Sequence, residues 1–303
     1  MYTQILLFIL LLLSFISQQT YTQGCSDAGF CTLHSLTPQN NDPFEDNNNR
    51  FAVGISNGRA DNSITVYSGY VEYGRIINAA IRSDVKLSFI SLHGTRTETS
   101  GLADIFLSSA YSFGEINTVT VGLKIPLDDG NTKINGLSLP MNYQSSLGTL
   151  DLLVGFGSKI EEIAITVALQ QPLLQNRNQF SVDNYPIDSD FRKFTSTNNY
   201  KRKRDILLRF SYPISLDSKI ILTPSILPIY HFANDSYTTT GGIDKIISGS
   251  KGTTVNMNFY LTYSLNSSDR LEISFGSPLY TRTVRPDGLT RSYVLTMEYQ
   301  MLF

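Results

Sequence analysis

The side chains in this sequence that could carry out catalysis or bind a metal are its histidines, cysteines and acidic residues. The three histidines, His34, His93 and His231, are far apart in the chain, and none belongs to a metal-binding motif. Cys25 and Cys31 lie close to His34, but two cysteines and one histidine are only a weak metal signal. The sequence therefore predicts no enzyme activity, no bound metal and no cofactor.

An amphipathic strand ends the chain at Arg291–Phe303. Alternate residues place apolar side chains on one face and mostly polar ones on the other. Such a strand is typical of an outer-membrane β-barrel, because the last strand closes the barrel and its outward face meets lipid. The alternative is the last strand of a soluble β-sandwich. The residues predicted to form the signal for the barrel assembly machinery are Tyr299, Met301 and Phe303.

The N-terminus predicts export. Ile5–Ile16 is almost continuously apolar. It is shorter than the about 20 residues of a membrane helix and fits the core of a signal peptide. We therefore expect residues 1–22 to be a signal peptide cleaved before Gln23, with an uncleaved anchor or a lipoprotein lipidated at Cys25 as the alternatives. Because exported proteins meet an oxidising compartment, Cys25 and Cys31 are predicted to form a local disulfide.

The remaining chain divides into a polar lead-in and a series of strands. Residues 23–49 are rich in turn-forming residues, which predicts a periplasmic lead-in or a partial plug. Residues 50–303 show repeated two-residue alternation and no helical pattern, which predicts a barrel domain. The predicted strands are 50–57, 62–74, 83–94, 101–113, 116–126, 147–157, 161–171, 204–213, 219–232, 254–264, 270–281 and 291–303.

The connections between these segments alternate in length. The short ones are 114–115, 158–160, 215–218 and 266–269, and the long ones are 127–146, 172–203 and 233–253. Short periplasmic turns alternating with long extracellular loops are the pattern of an outer-membrane barrel, and both termini then lie in the periplasm. We therefore predict an all-β fold, a transmembrane antiparallel up-and-down β-barrel of about 12 strands, in the bacterial outer membrane.

Charged residues within the predicted strands should face the lumen. An Arg or Lys on the lipid face costs roughly 2–4 kcal/mol at mid-bilayer. Inside the barrel, opposite charges can pair or line a wet path. The residues predicted to face the lumen are Lys86, Asp104, Lys124, Asp151, Asp205, Arg209, Arg270, Glu272 and Glu298.

The balance of acidic and basic residues bears on which kinds of molecule the protein is expected to bind. The formal net charge is −2 and acidic and basic residues are mixed, which predicts no nucleic-acid binding. The densest basic run, Lys201–Arg204, lies where a loop meets a strand. It is either a solvated loop end or a contact for lipopolysaccharide phosphates. Outer-membrane lipid is the other expected partner.

The segment 100–159 resembles a known family. It contains SGLADIFLSSAYSF, NTVTVGLKIPLDDG and SSLGTLDLLVGFGSKI, which resemble successive strands of the outer-membrane proteins named for the MetA pathway of phenol degradation. Pro126 is followed by Leu-Asp-Asp-Gly where the family more often has Thr-Gly-Asp. The matching residues are Gly101, Asp104, Gly122 to Pro126, Asp128, Asp129, Gly130, Gly148 and Asp151.

The resemblance implies a function. That family is similar in turn to outer-membrane channels for fatty acids and aromatic hydrocarbons. It therefore implies passive uptake of small hydrophobic or aromatic molecules. The alternative is a structural or interaction barrel with a blocked lumen, which binds through its loops. A dry, fully packed lumen would favour this alternative.

Deleting Phe303 should impair barrel assembly, because the terminal ring is expected to meet the assembly machinery and then the lipid interface. The measurement is the yield of folded protein in the outer membrane, read by heat-modifiable migration on a gel. A normal yield of the heat-modifiable form would contradict this role of Phe303.

Overall fold

The structure, a computed structural model, describes residues 32–38, 48–114, 116–288 and 291–303. The predicted signal peptide at 1–22 and the predicted disulfide of Cys25 and Cys31 lie outside these residues. Across the described ranges, no helix is both long and apolar enough to cross a membrane. The domain boundaries proposed for 1–22 and 23–49 stay predictions.

Twelve antiparallel strands form one closed sheet, as predicted. Each predicted strand has its counterpart. The strands are β1 (Asn49–Ala60), β2 (Thr65–Asn78), β3 (Ile81–His93), β4 (Glu98–Phe113), β5 (Asn117–Pro126), β6 (Leu150–Ile160), β7 (Ile163–Leu174), β8 (Asp205–Ser211), β9 (Ile220–His231), β10 (Gly252–Ser264), β11 (Asp269–Tyr280) and β12 (Arg291–Leu302). The chain continues from β8 through Pro213 into the short segment Ile214–Ser215, which also pairs with β9.

Closure depends on the two ends of the chain. β1 pairs with β12 from Arg50 opposite Leu302 to Ala60 opposite Arg291. Beyond β12, the backbone of Phe303 exchanges hydrogen bonds with Asn49 at 2.9 and 3.0 Å. The ring of pairings leaves no open sheet edge, which a barrel requires because lipid offers no hydrogen-bond partners.

The strand alternation places apolar side chains outside and polar ones inside. Tyr299, Met301 and Phe303 lie on the outer face with 42, 38 and 53% of their surface exposed. Aromatic pairs stand near both rims, with Tyr111 stacked on Phe113 at one end and Tyr230 against Phe232 at the other. This is the aromatic girdle of a lipid-embedded barrel and argues against the soluble sandwich.

The connections confirm the predicted alternation of short turns and long loops. The turns on the side of the chain termini are short, and four connections on the opposite side are long. These four loops are 127–149, 175–204, 232–251 and 281–290. The orientation rule for outer-membrane barrels assigns the short turns to the periplasm and the long loops to the outside.

The prolines of β9 interrupt one of its two ladders. Pro224 and Pro228 lie within the strand and face outward, and the register with β10 runs through both without a break. On the other side, pairing with β8 stops after Leu207 opposite Ile229 and resumes at Phe210 opposite Ile226. Proline has no N–H to donate, which explains the gap opposite Pro228.

An epitope inserted next to Asn184, in loop 175–204, should be accessible to antibody on intact cells. The loop lies at the end of the barrel opposite the chain termini, which we assign to the outside. The measurement is surface labelling before and after permeabilisation of the outer membrane. Labelling only after permeabilisation would show that the orientation is inverted.

Candidate functional site: the lumenal chamber

A cavity of about 260 Å³ lies inside the barrel. We call it the lumenal chamber. Its wall comes mainly from β2–β4 and β10–β12. Its floor is the segment 32–38, and its roof includes Met141–Leu147 and Gly288. The chamber is therefore bounded by chain along the barrel axis in both directions.

The floor is held by two leucines that fit against glycines of the wall. Leu33 and Leu36 are buried in an apolar cluster with lumenal residues of β4, β6, β7, β8 and β9. A Cβ added at Gly122 would lie 2.8 Å from Leu33 Cδ1, and one at Gly155 would lie 2.5 Å from Leu36 Cδ2. Only glycine at these two wall positions leaves room for the leucines.

Cationic side chains of the wall bind the backbone of the floor. Lys86 Nζ donates to the carbonyl of Thr32 at 3.2 Å, and Arg209 Nη1 donates to the carbonyl of Leu36. These charge-assisted bonds satisfy carbonyls that the short segment cannot pair internally. Burial and nearby cations, Arg50 foremost, lower the pKa of His34 well below its ordinary value, so this imidazole is neutral.

The roof is tied to β4 by side-chain hydrogen bonds. Thr99 Oγ1 donates to the carbonyl of Tyr143 at 2.7 Å, and Ser146 Oγ donates to Asp104 Oδ1 at 2.6 Å. Gly288 has a φ of +70° and its α-carbon lies against the backbone of Met141. A side chain at Gly288 would separate loop 281–290 from loop 127–149, so the roof depends on this close approach.

One wall of the chamber carries an ionic layer. Arg50, which is 1% exposed, donates to Glu72 and lies 3.4 Å from Asp84 Oδ1. Lys86 Nζ lies 3.3 Å from Glu72 Oε2 and 3.6 Å from the centre of the Tyr70 ring. Paired in this way, the charges hold the wall together at a buried site, where an unpaired charge would be costly.

The predicted lumenal residues are buried or partly buried, but they do not form one site. Lys124 pairs with Asp151 at 3.2 Å, Asp104 contacts the roof, and Glu298 accepts from the Tyr70 hydroxyl. Arg270 is buried and Glu272 lines the chamber. Asp205 and Arg209 lie elsewhere, at the outer rim and against the floor.

Several chamber residues have no counterpart in the sequence prediction. Glu72 and Tyr70 alternate with the outward residues Val71 and Tyr73, so the two-residue period in β2 is the signal that could have found them. Ser56 stands in a Gly-x-Ser-x-Gly pattern but lies inside β1, where its hydroxyl contacts Ser68 Oγ at 2.9 Å. A nucleophile elbow needs a strand-to-helix turn, so this serine has no catalytic setting.

The basic run 201–204 does not present a uniform charged surface. Arg202 is buried and donates to Asp205, while Arg204 is exposed over the ring of Phe232. Burial by itself lowers the pKa of Arg202. The carboxylates of Asp205 and Asp287 favour the charged guanidinium more strongly, so the pKa is raised overall. The run is therefore partly a structural element of the outer rim.

The chamber borders an irregular stretch of the β3–β4 ladder. A bulge places Ala103 and Asp104 opposite the single residue Ser88. The Ser88 hydroxyl donates to the backbone carbonyl of Asp104 at 3.0 Å and lies 3.4 Å from the backbone nitrogen of Asp104. These side-chain contacts stand where a regular ladder would have backbone hydrogen bonds. Phe89 is 46% exposed on the outer face and also lines the chamber. The regular strand pairing is interrupted at this bulge.

Comparison with known proteins supports the fold. An outer-membrane channel from Pseudomonas putida F1 is similar, with a TM-score of 0.58 and 14% identity, and the match covers 88% of this chain and 99% of that one. This likeness confirms the barrel fold that the resemblance at 100–159 implied. No family model matches the chain, and no curated protein matches it.

Two further solved structures are more distant. The NanC porin has a TM-score of 0.46 and 9% identity, covering 82% of this chain and 98% of that one. The toluene transporter TbuX of Ralstonia pickettii has a TM-score of 0.43 and 9% identity, covering 85% and 90%. These likenesses are too weak to bear on function.

Replacing Gly155 by alanine should weaken the docking of the floor, because the new methyl would overlap Leu36. Overpacking of this kind costs about 1–3 kcal/mol. The measurement is the free energy of unfolding from lipid vesicles. In a Leu36→Ala background the same substitution should cost close to nothing, because the overlapping methyl groups are gone.

Gly157→Ala is the matched control. Gly157 lies on the same face of β6, and a Cβ there would come no closer than 3.9 Å to a neighbour. It should leave stability unchanged. Equal effects at Gly155 and Gly157, or additive effects of Gly155→Ala and Leu36→Ala, would contradict the docking of Leu36 against Gly155.

Proposed function

We propose that this protein is an outer-membrane channel for passive uptake of small, hydrophobic or aromatic molecules. The observation that carries the proposal is the lumenal chamber, an internal space in a lipid-embedded barrel that borders the bulge in the β3–β4 ladder. An engineered apolar cavity of about 150 Å³ binds benzene. A chamber of about 260 Å³ therefore has room for a substituted single-ring molecule.

The lining favours a molecule with an apolar body and a polar edge. Val66, Ile90, Leu92, Ala103 and Phe106 supply the apolar part of the lining on β2, β3 and β4, where they are interspersed with polar and charged residues that include Glu72, Lys86 and Ser88. The neighbouring strands β1, β11 and β12 contribute hydroxyl-bearing and acidic residues, namely Ser56, Glu272, Ser274, Thr296 and Glu298. Ligand sites commonly combine an apolar lining with a few polar groups that fix orientation.

The route that we propose runs between the chamber and the membrane at the β3–β4 bulge. The floor and the roof border the chamber along the barrel axis, while Phe89 lines the chamber and has its side chain on the outer face. A solute that is apolar on one side can leave sideways into lipid. The segment 32–38 would then act as a partial plug that directs the solute.

A second candidate is a structural barrel that binds partners through its loops. The floor and roof favour it, since both occupy the barrel axis. Its chamber would then be a packing defect through which no solute passes. The two candidates differ in whether filling the chamber changes permeability.

Filling the chamber should slow uptake. Ala103→Phe would place a ring in the chamber beside the bulge, and we expect a several-fold lower rate of liposome swelling with a neutral phenol-like solute. Leu107→Phe is the control, because Leu107 lies on the same strand but faces lipid. Equal rates for wild type, Ala103→Phe and Leu107→Phe, or no swelling by wild type, would favour the structural barrel.

A further inference from the structure

A buried ion cluster joins the extracellular loops above the chamber. We call it the rim cluster, and it contains Tyr200, Arg202, Asp205, His231, Asp235, Arg282 and Asp287. These residues come from loops 175–204, 232–251 and 281–290 and from the adjoining ends of β8 and β9. Each of them is at least nine-tenths buried.

His231 stands between two carboxylates at the centre of the cluster. Its Nδ1 lies 2.5 Å from Asp205 Oδ1, and its Nε2 lies 2.8 Å from Asp235 Oδ1. A carboxylate oxygen accepts hydrogen bonds and donates none. A neutral imidazole has one N–H, so it can satisfy only one of these contacts, whereas an imidazolium satisfies both.

The other partners keep both carboxylates in the accepting state. Asp205 also accepts from Arg202, and Asp235 Oδ1 also accepts from the backbone N–H of Lys203 at 2.8 Å. Asp235 Oδ2 accepts from the Tyr200 hydroxyl at 2.8 Å. Each carboxylate therefore already has a donor besides His231, and ionised carboxylates suit all of these bonds.

Arg202 also lies within electrostatic reach of Asp151, whose charge is paired with Lys124 in the barrel wall. The charges of the rim cluster itself balance only when His231 is protonated. Three carboxylates, those of Asp205, Asp235 and Asp287, face the guanidinium groups of Arg202 and Arg282. Arg282 donates to Asp287 and lies 4.0 Å from Asp235 Oδ2, and Arg202 Nε lies 3.8 Å from Asp287 Oδ2. A third positive charge, on His231, makes the buried cluster neutral.

We propose that His231 is a pH-sensitive latch that holds the extracellular mouth closed while its imidazole is protonated. Loss of the proton leaves one ring nitrogen facing a carboxylate without a hydrogen bond. It also leaves one uncompensated negative charge in a buried site. Raising the pH therefore loosens loop 232–251, which Asp235 anchors at the rim. This regulation of the chamber rests on the proposed channel function.

The test measures the distance between two extracellular loops directly. Spin labels at Ile134→Cys and Ile243→Cys span the mouth from loop 127–149 to loop 232–251, with Cys25 and Cys31 replaced by serine in every variant. Both sites are exposed, at 37 and 67%. As the pH rises from about 5 to about 9, across the range in which histidines titrate, the distance distribution should broaden and shift to larger values.

Three variants of this labelled chain test whether the pH-dependent change in distance comes from His231. His231→Asn should remove it, giving one distribution at every pH. His93→Asn is the matched control, because His93 is the exposed rim histidine that contacts Glu98 outside the cluster, and it should keep the response. His34→Asn should keep it too, since His34 lies in the floor segment, outside the rim cluster. A response that persists in His231→Asn, or is absent from the labelled parent chain, overturns the latch.

A second measurement needs no substitution at His231. In the unaltered chain with ¹⁵N-labelled histidine, both ring nitrogens of His231 should show the shift of a protonated nitrogen at neutral pH. A neutral tautomer there would overturn the latch even if His231→Asn fails to fold. Loops that open with pH in a barrel that never passes solute would leave the latch intact and reject the channel function.

Discussion

Every backbone N–H and C=O group in the lipid layer must find a partner within the protein, and the rest of this structure depends on that constraint. The ladder between β1 and β12 supplies the last pairs and closes the ring. Closure fixes which face of each strand meets lipid, and it sends charged and polar side chains into one enclosed volume. The polar side chains enclosed in this way form the ionic layer and line the chamber. The rim cluster lies where the strands meet the extracellular loops.

Pairing inside the lumen explains how so many charges are tolerated. Arg50 and Lys86 share Glu72, Lys124 pairs with Asp151, and the rim cluster balances three carboxylates. Such pairs are weak evidence for stability, because desolvation offsets much of their attraction. Their value here is positional. These ion pairs fix the wall of the chamber and tie the extracellular loops together. In addition, Lys86 and Arg209 donate hydrogen bonds to backbone carbonyls of the floor.

The strand pattern of the sequence predicts the twelve strands and the lumenal side of Lys124 and Asp151, because the two-residue period directly encodes the two faces. It does not predict which lumenal residues of different strands meet. Tyr70 and Glu298 come together because β1 pairs with both β2 and β12, and no local pattern contains the β1–β12 closure. The glycines illustrate the same limit. Gly122 is noticeable as part of a family motif, but its reason, the contact with Leu33, appears only when the floor is placed inside the barrel.

In the proposed channel, the segment 32–38 closes the chamber from the periplasmic side. The most direct test is the labelling of a chamber cysteine, Ser274→Cys, by a membrane-impermeant thiol reagent added from the periplasmic side, with Cys25 and Cys31 replaced by serine. The labelling rate is compared with and without Leu33→Asp, Leu36→Asp. Two carboxylates cannot remain in the apolar cluster that now holds the leucines, so the floor should leave the lumen. Labelling several-fold faster in the Leu33→Asp, Leu36→Asp chain is the predicted result. A folded Leu33→Asp, Leu36→Asp chain that is labelled at the rate of the chain with both leucines would contradict this closure.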